Sequence, residues 1–72
     1  MYYAVFDLQT GDYLASGSNL TNRKAVKNDI LSLMYWDIQE DYNKYKRMSL
    51  NNLLEIWDMR LDKSDTEFTI DF

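Results

Sequence analysis

The 72-residue chain contains no cysteine, no histidine and no proline, and its only glycines are Gly11 and Gly17. Without cysteine no disulfide can form, and without cysteine or histidine a structural zinc site lacks its usual ligands. The same absences remove the Ser-His and Cys-His pairs of nucleophilic catalysis. Ser16, Ser18, Ser32, Ser49 and Ser64 stand without a sequence-evident base. Two isolated glycines make no phosphate-cradling loop. Paired carboxylates remain, but acid–base work by such a pair needs a cleft that a domain this small rarely forms. A non-enzymatic protein with no cofactor is therefore expected. No run approaches the roughly 20 apolar residues of a membrane span, and Met1-Tyr2-Tyr3-Ala4 has neither the basic start nor the apolar stretch of a signal peptide. A cytoplasmic location without membrane contact is expected.

What is present describes a folded domain. Hydrophobic residues make up 46% and charged residues 28%, a globular balance rather than a disordered one, and residues 1–72 suffice for a single domain. A chain this short buries a modest share of its surface, so it needs a dense core or a second subunit. Six Tyr, three Phe and two Trp fit either route, since each aromatic buries roughly 150–250 Å². The net charge of −4 disfavours direct binding to nucleic acid and suits a basic partner protein.

Alternation over Tyr2–Leu8 predicts a strand, with Tyr2, Ala4, Phe6 and Leu8 on one face and Tyr3, Val5 and Asp7 on the other. A second β-like run, Tyr13–Ser16, follows Gln9-Thr10-Gly11-Asp12, and Thr-Gly predicts a hairpin turn with Gly11 at positive φ. Thr21 is a good N-cap for a helix carrying Val26, Ile30, Leu33 and Met34 at helical spacing. The helical pattern extends to Met48, yet one straight rod over 22–47 would be about 39 Å long, in a domain roughly 30 Å across. The stripes Val26/Ile30/Leu33/Met34 and Ile38/Tyr42/Tyr45 are also centred about 120° apart. A kink or restart near Tyr35–Asp37 is expected, with Asp37 and Glu40 at capping-box spacing; a continuous helix packed on both sides is the alternative. Ser49 caps a short helix with Leu50, Leu53, Leu54 and Trp57 on one face. Met59–Lys63 alternates, and Thr66–Phe72 places Phe68, Ile70 and Phe72 on one face; at least one of the two should pair with the hairpin. The pattern is β-β-α-α-β: an α+β domain with two to three helices laid across a small antiparallel sheet.

The residues that carry chemistry are acids and aromatics. Asp58, Asp62, Asp65 and Glu67 lack the spacing and mid-loop glycine of a calcium hand, and solvated acids are expected there. With Asp37, Glu40, Asp41 and Glu55 they form an acidic second half that could imitate the charges of DNA. Leu54, Trp57 and Phe6 are expected in the core, as are Tyr42 and Tyr45, packed on the sheet or on the Ser49 helix. Trp36, flanked by charge, has the make-up of an interface hot spot and equally of the core side of the first helix; both readings stay open. A direct DNA-binding face would have to come from Arg23, Lys24, Lys27, Lys44, Lys46 and Arg47, and no such binding is expected.

In its size, acidity, wealth of Tyr, Asn, Asp and Lys, and strand-hairpin-helix layout, the chain resembles the short accessory proteins of phages and prophages of Gram-positive bacteria. That group includes anti-CRISPR proteins and uracil-DNA glycosylase inhibitors. Arg60-Leu61-Asp62-Lys63 after an apolar helix looks like the end of some small glycosylase inhibitors. The resemblance implies a protein of the bacterial host cell that binds a host or defence protein acting on nucleic acids, often as a DNA mimic. The expected partner-binding residues are Trp36, Asp37, Glu40, Asp41, Glu55, Asp58 and Asp62. The alternative is a homodimeric structural or assembly module.

Overall fold

The computed structural model describes residues 1–70. Strands β1 (Tyr2–Asp7) and β2 (Asp12–Leu14) form the hairpin, and β3 (Met59–Ser64) pairs antiparallel along the other edge of β1. The sheet order is β2-β1-β3, so the first strand is the central one. Gly11 takes the expected positive φ (76°) in the turn. Between β2 and β3 lie α1 (Arg23–Leu33), α2 (Tyr35–Ile38), a 3-10 turn over Gln39–Asp41, α3 (Tyr42–Lys46) and α4 (Leu50–Ile56). The architecture is α+β, and the helical stretch is more broken than the sequence pattern predicts.

The register settles which face of the sheet meets the helices. Val5 lies opposite Leu14 and Leu61, and Asp7 opposite Met59. Because side chains alternate along a strand, Tyr3, Val5, Leu14, Leu61 and Met59 share the helix-facing side, where all five pack on the core. The opposite side holds Tyr2, Phe6, Tyr13, Arg60 and Asp62. Phe6, expected in the core, sits on this outer face, because its strand phase is opposite to that of Val5.

Each helix has a local cause. Asn22, rather than Thr21, caps α1: its backbone is extended (φ −144°, ψ 152°) and its Oδ1 accepts from Ala25 N at 2.8 Å. Val26, Ile30 and Leu31 form the buried stripe, while Leu33 is left exposed. Ser49 caps α4, accepting from Asn52 N at 3.2 Å, and Leu50, Leu53 and Leu54 are buried. Trp57 closes that helix and stacks on Tyr45 with ring centroids 5.6 Å apart. Asp58 then takes the left-handed conformation (φ 52°), a position where a helix commonly ends and where Asp is among the few tolerated non-glycine residues.

The segment from 22 to 47 breaks at Met34 (φ −90°, ψ 1°), at Ile38 (φ −118°, ψ 8°) and at Asp41 (φ −110°, ψ 16°). These departures swing the second stripe back toward the first. Ile38 is buried, and Tyr42 and Tyr45 pack against the same core as Val26 and Ile30. The 120° offset is thus absorbed by bends within one domain, whose longest dimension is 36 Å. Asp37 does not cap a helix. The helix restarts at Tyr35, and Asp37 N already donates to Met34 O at 3.0 Å, so the residue lies within the first turn.

The loop between β2 and α1 locks the sheet to the helices. Gly17 is buried at φ 79°, and a Cβ there would lie 2.9 Å from Val5 Cγ2 and 3.1 Å from Ile30 Cγ2. Val5 N donates to Ser18 Oγ at 3.1 Å, and that hydroxyl donates to Leu14 O, filling a rung that β2 leaves empty. One step further, Tyr3 and Leu20 exchange backbone hydrogen bonds of 2.7 and 3.4 Å. Residues 66–70 form no strand. Asn19 brackets Phe68, its Nδ2 donating to the Phe68 carbonyl (3.0 Å) and its Oδ1 accepting from the Phe68 N–H (2.7 Å). Phe68 thereby lies against Tyr13 on the outer face. The expected partnership of Phe72 with Phe68 and Ile70 falls outside the described residues.

Gly17→Ala is expected to cost about 2 kcal/mol or more, combining left-handed strain with overpacking. Gly11→Ala, with open space around its Cβ, should cost about 1–2 kcal/mol from strain alone. Urea midpoints at constant m separate the two. By the same measurement Ser18→Ala should destabilise by about 1–3 kcal/mol, since it strands the buried Val5 N–H.

Candidate functional site

Trp36 is the most exposed large hydrophobic residue among the described residues, at 77%, and the structure decides between its two readings in favour of the surface. α2 is only one turn long, and its single buried position goes to Ile38, so the neighbouring ring points out. The indole is steadied by a short aromatic chain: its centroid lies 5.6 Å from that of Tyr35, edge to face, and Tyr35 meets Tyr42 at 5.4 Å. Trp36, Asp37, Glu40 and Asp41 line one depression around the 3-10 turn, and all four are exposed.

Asp37 also borders a second, more apolar groove of about 400 Å³, lined by Leu33 and Met34 at the end of α1 and by Ile56 and Trp57 at the end of α4. Leu14 and Met59 line it from the sheet, with Asp7 and Gln9 from the hairpin. Gln9 Nε2 donates to Asp58 Oδ2 at 3.1 Å, which places a third carboxylate beside the groove. Five of the seven expected residues, Trp36, Asp37, Glu40, Asp41 and Asp58, therefore belong to one continuous surface. Glu55 is exposed on α4, one residue before Ile56. Leu33, placed by its spacing in the apolar stripe of the first helix, is exposed instead, and Ile56 went unrecognised in the sequence. Ile56 carried the signal, being an aliphatic residue outside the Leu50/Leu53/Leu54/Trp57 stripe.

Asp62 is elsewhere. It lies on the outer face of the sheet, where Arg60 Nε and a terminal guanidinium nitrogen donate to its two oxygens at 2.7 and 3.0 Å, and Tyr13 Oη donates at 2.6 Å. Arg60 also covers the Phe6 ring, 4.4 Å from its centroid. The guanidinium first, and then the Tyr13 hydroxyl, hold the Asp62 carboxyl below the usual carboxylate range against the opposing effect of partial burial. The hydrogen bond to Asp62, above all, pushes the Tyr13 phenol upward. Its charge is thus engaged inside the domain.

Arg60–Asp62 is the only ion pair among the described residues. The acids at 37, 40, 41 and 58 thus have no cation within 4.0 Å. Lys27 Nζ donates to Lys46 O at 2.7 Å and Arg23 donates to Asn51 Oδ1 at 2.8 Å, which gathers the start of α1, the end of α3 and the start of α4. Arg23 and Lys24 open α1 and Lys27 ties its middle to Lys46, while Asp37 lies in α2, past the other end of α1. No helix among the described residues is long and apolar enough to cross a membrane, and no three acids among them converge as a metal site would need.

The lowered pKa of Asp62 makes stability depend on pH with a definite sign. Stability from this cluster is fully present above the unfolded carboxylate value of about 4 and is lost as pH falls through the lower folded value. Wild type should therefore lose more stability than Asp62→Asn between pH 6 and pH 3, as read from urea midpoints across that range.

Comparison of the chain with protein-family models, with curated proteins and with solved structures finds no match.

Proposed function

We propose that this is a non-enzymatic inhibitor that binds a nucleic-acid-processing host or defence protein through the acidic, aromatic surface around Trp36. The observation that carries this reading is the exposed indole at the edge of unpaired carboxylates, Asp37, Glu40 and Asp41. A large aromatic able to be desolvated and ringed by charge is the usual anchor of a protein interface. The acids supply long-range attraction to the basic groove of a protein that handles nucleic acid. The resemblance to phage accessory inhibitors points to the same class of partner. The absence of any ion pair at these acids supports it as well, since their charge is left available to a basic surface.

The steps of binding follow from the physics of the two components. Exposed carboxylates steer encounter and set its salt dependence, and Trp36 then supplies the contact that slows dissociation. Occupation of the nucleic-acid groove excludes the natural ligand, so inhibition needs no chemistry from this chain. Asp62 is not part of this face, being held by Arg60 and Tyr13. A homodimer through the same surface is the second reading, favoured by the exposure of Leu33, Tyr35, Trp36 and Ile56 together.

Pull-down from a bacterial lysate should retain a nucleic-acid-processing protein. Retention should fall at least tenfold for the Asp37→Asn/Glu40→Gln/Asp41→Asn variant and for Trp36→Ala. Retention of no such protein, or retention unchanged by both variants, sinks the inhibitor reading. Light scattering decides the dimer: a strict monomer at micromolar concentration removes it.

A further inference from the structure

The groove next to Trp36 holds more apolar surface than a mimic of nucleic acid requires. Leu33 and Ile56 are 45% and 49% exposed on two different helices, yet both line one cavity of about 400 Å³. Neither is needed in the domain's own core, where Ile30 and Leu31 of α1 and Leu53 and Leu54 of α4 are buried. Carboxylates stand around these apolar walls. Asp7 and Asp37 line the cavity, and Asp58 is tied to it through Gln9. None of the three has a cation within 4.0 Å.

An occupant of this groove must bring two things together: apolar bulk to cover Leu33 and Ile56, and positive charge to meet three carboxylates. Nucleic acid offers neither, and its phosphates would be repelled. A second copy of the chain docked symmetrically would bring its own Asp7, Asp37 and Asp58 against these acids, and like charges at an interface oppose docking. We propose that the groove receives a basic amphipathic helical segment of the partner protein. One large aliphatic or aromatic side chain seats between Leu33 and Ile56, and Lys or Arg residues beside it face Asp7, Asp37 and Asp58. This rests on the Trp36 surface being a protein-binding face, and it supplies the chemistry of the partner. Recognition then has a shape-dependent, apolar component that charge mimicry alone lacks.

The full chain should be titrated with two labelled synthetic helical peptides of identical composition, lysine and leucine only. One aligns the leucines at i, i+3, i+4 and i+7, and the other disperses them around the helix. Fluorescence anisotropy should show the aligned peptide binding at least tenfold tighter. That preference should vanish in Leu33→Ser/Ile56→Ser, whose two sites are exposed enough to spare the fold, as circular dichroism would verify. It should persist in Glu40→Gln/Asp41→Asn, which weakens both peptides alike. Equal binding of the two peptides overturns the proposal, as does a preference that survives Leu33→Ser/Ile56→Ser. If that variant instead abolishes self-association of the free chain in sedimentation, the groove belongs to a second copy and the proposal falls. An intact peptide preference with no partner retained from lysate upholds the groove and refutes the inhibitor reading. Lysate retention without any peptide preference does the reverse.

Discussion

The approach of Gly17 to Val5 and Ile30 is the contact on which the rest of the molecule depends. Val5 lies at the middle of the central strand and Ile30 at the middle of the buried stripe of α1. The loop between β2 and α1 passes between them with no side chain to spare, at a backbone angle that suits glycine. Its next residue, Ser18, completes the hydrogen bonding of the strand that its neighbour displaces. Two residues on, Leu20 pairs with Tyr3. A single tight passage therefore fixes how far the sheet stands from α1 and continues the sheet edge past β2. It also sets where α1 begins and ends, and so where α2 and Trp36 emerge. In a chain without cysteine, such steric closeness takes the place of a covalent staple.

The broken helical segment turns a packing problem into a surface. Two apolar stripes out of phase by a third of a turn cannot both face one core from a straight helix. Bends at Met34, Ile38 and Asp41 bring them to the same side. Short helical pieces have few buried positions, however, and whatever lies between the bends is extruded. Trp36, Asp37, Glu40 and Asp41 are the residues left outside when Ile38 and Tyr42 turn inward. Leu33, which the regular spacing of α1 assigns to the core, is left exposed at the end of that helix. Core packing and the candidate site are two results of one geometry.

The legible parts of the chain were those whose cause is local. Gly11 with alternating flanks reads as a hairpin, and Ser49 with Leu50, Leu53 and Leu54 reads as a capped helix, because each signal lies within a few residues. Whether Tyr3/Val5 or Ala4/Phe6 meets the helices is not a local matter. Both sets are apolar, and only the docking of α1 through Gly17 chooses between them. Phe68 was read as a strand residue from alternation alone. Its actual partner is Asn19, 49 residues away, and one side-chain amide that mimics a backbone rung leaves no pattern in sequence. Asp62 was read as a surface acid for a similar reason: Tyr13 is equally distant in the chain, and the register of β1 brings the two together. Trp36 was legible as an unusual residue but not as an exposed one, since exposure depends on where the bends fall.

The two faces of the sheet show what distinguishes a charge used for folding from one available to a partner. On the outer face Asp62 is held by a guanidinium and a phenol, and Arg60 is pressed on an aromatic ring. These charges are geometrically fixed and mutually cancelled, so they attract little from outside. Beside the groove, Asp7 binds only backbone N–H at Gln9 (2.9 Å), and Asp58 only the Gln9 amide (3.1 Å). Neutral donors orient a carboxylate without cancelling its charge. Those acids are therefore held in place with no cation against them, next to Leu33 and Ile56, which the core does not use. Preorganised charge beside uncovered apolar surface loses little freedom when a complementary segment docks, and that economy favours tight binding by a small rigid domain.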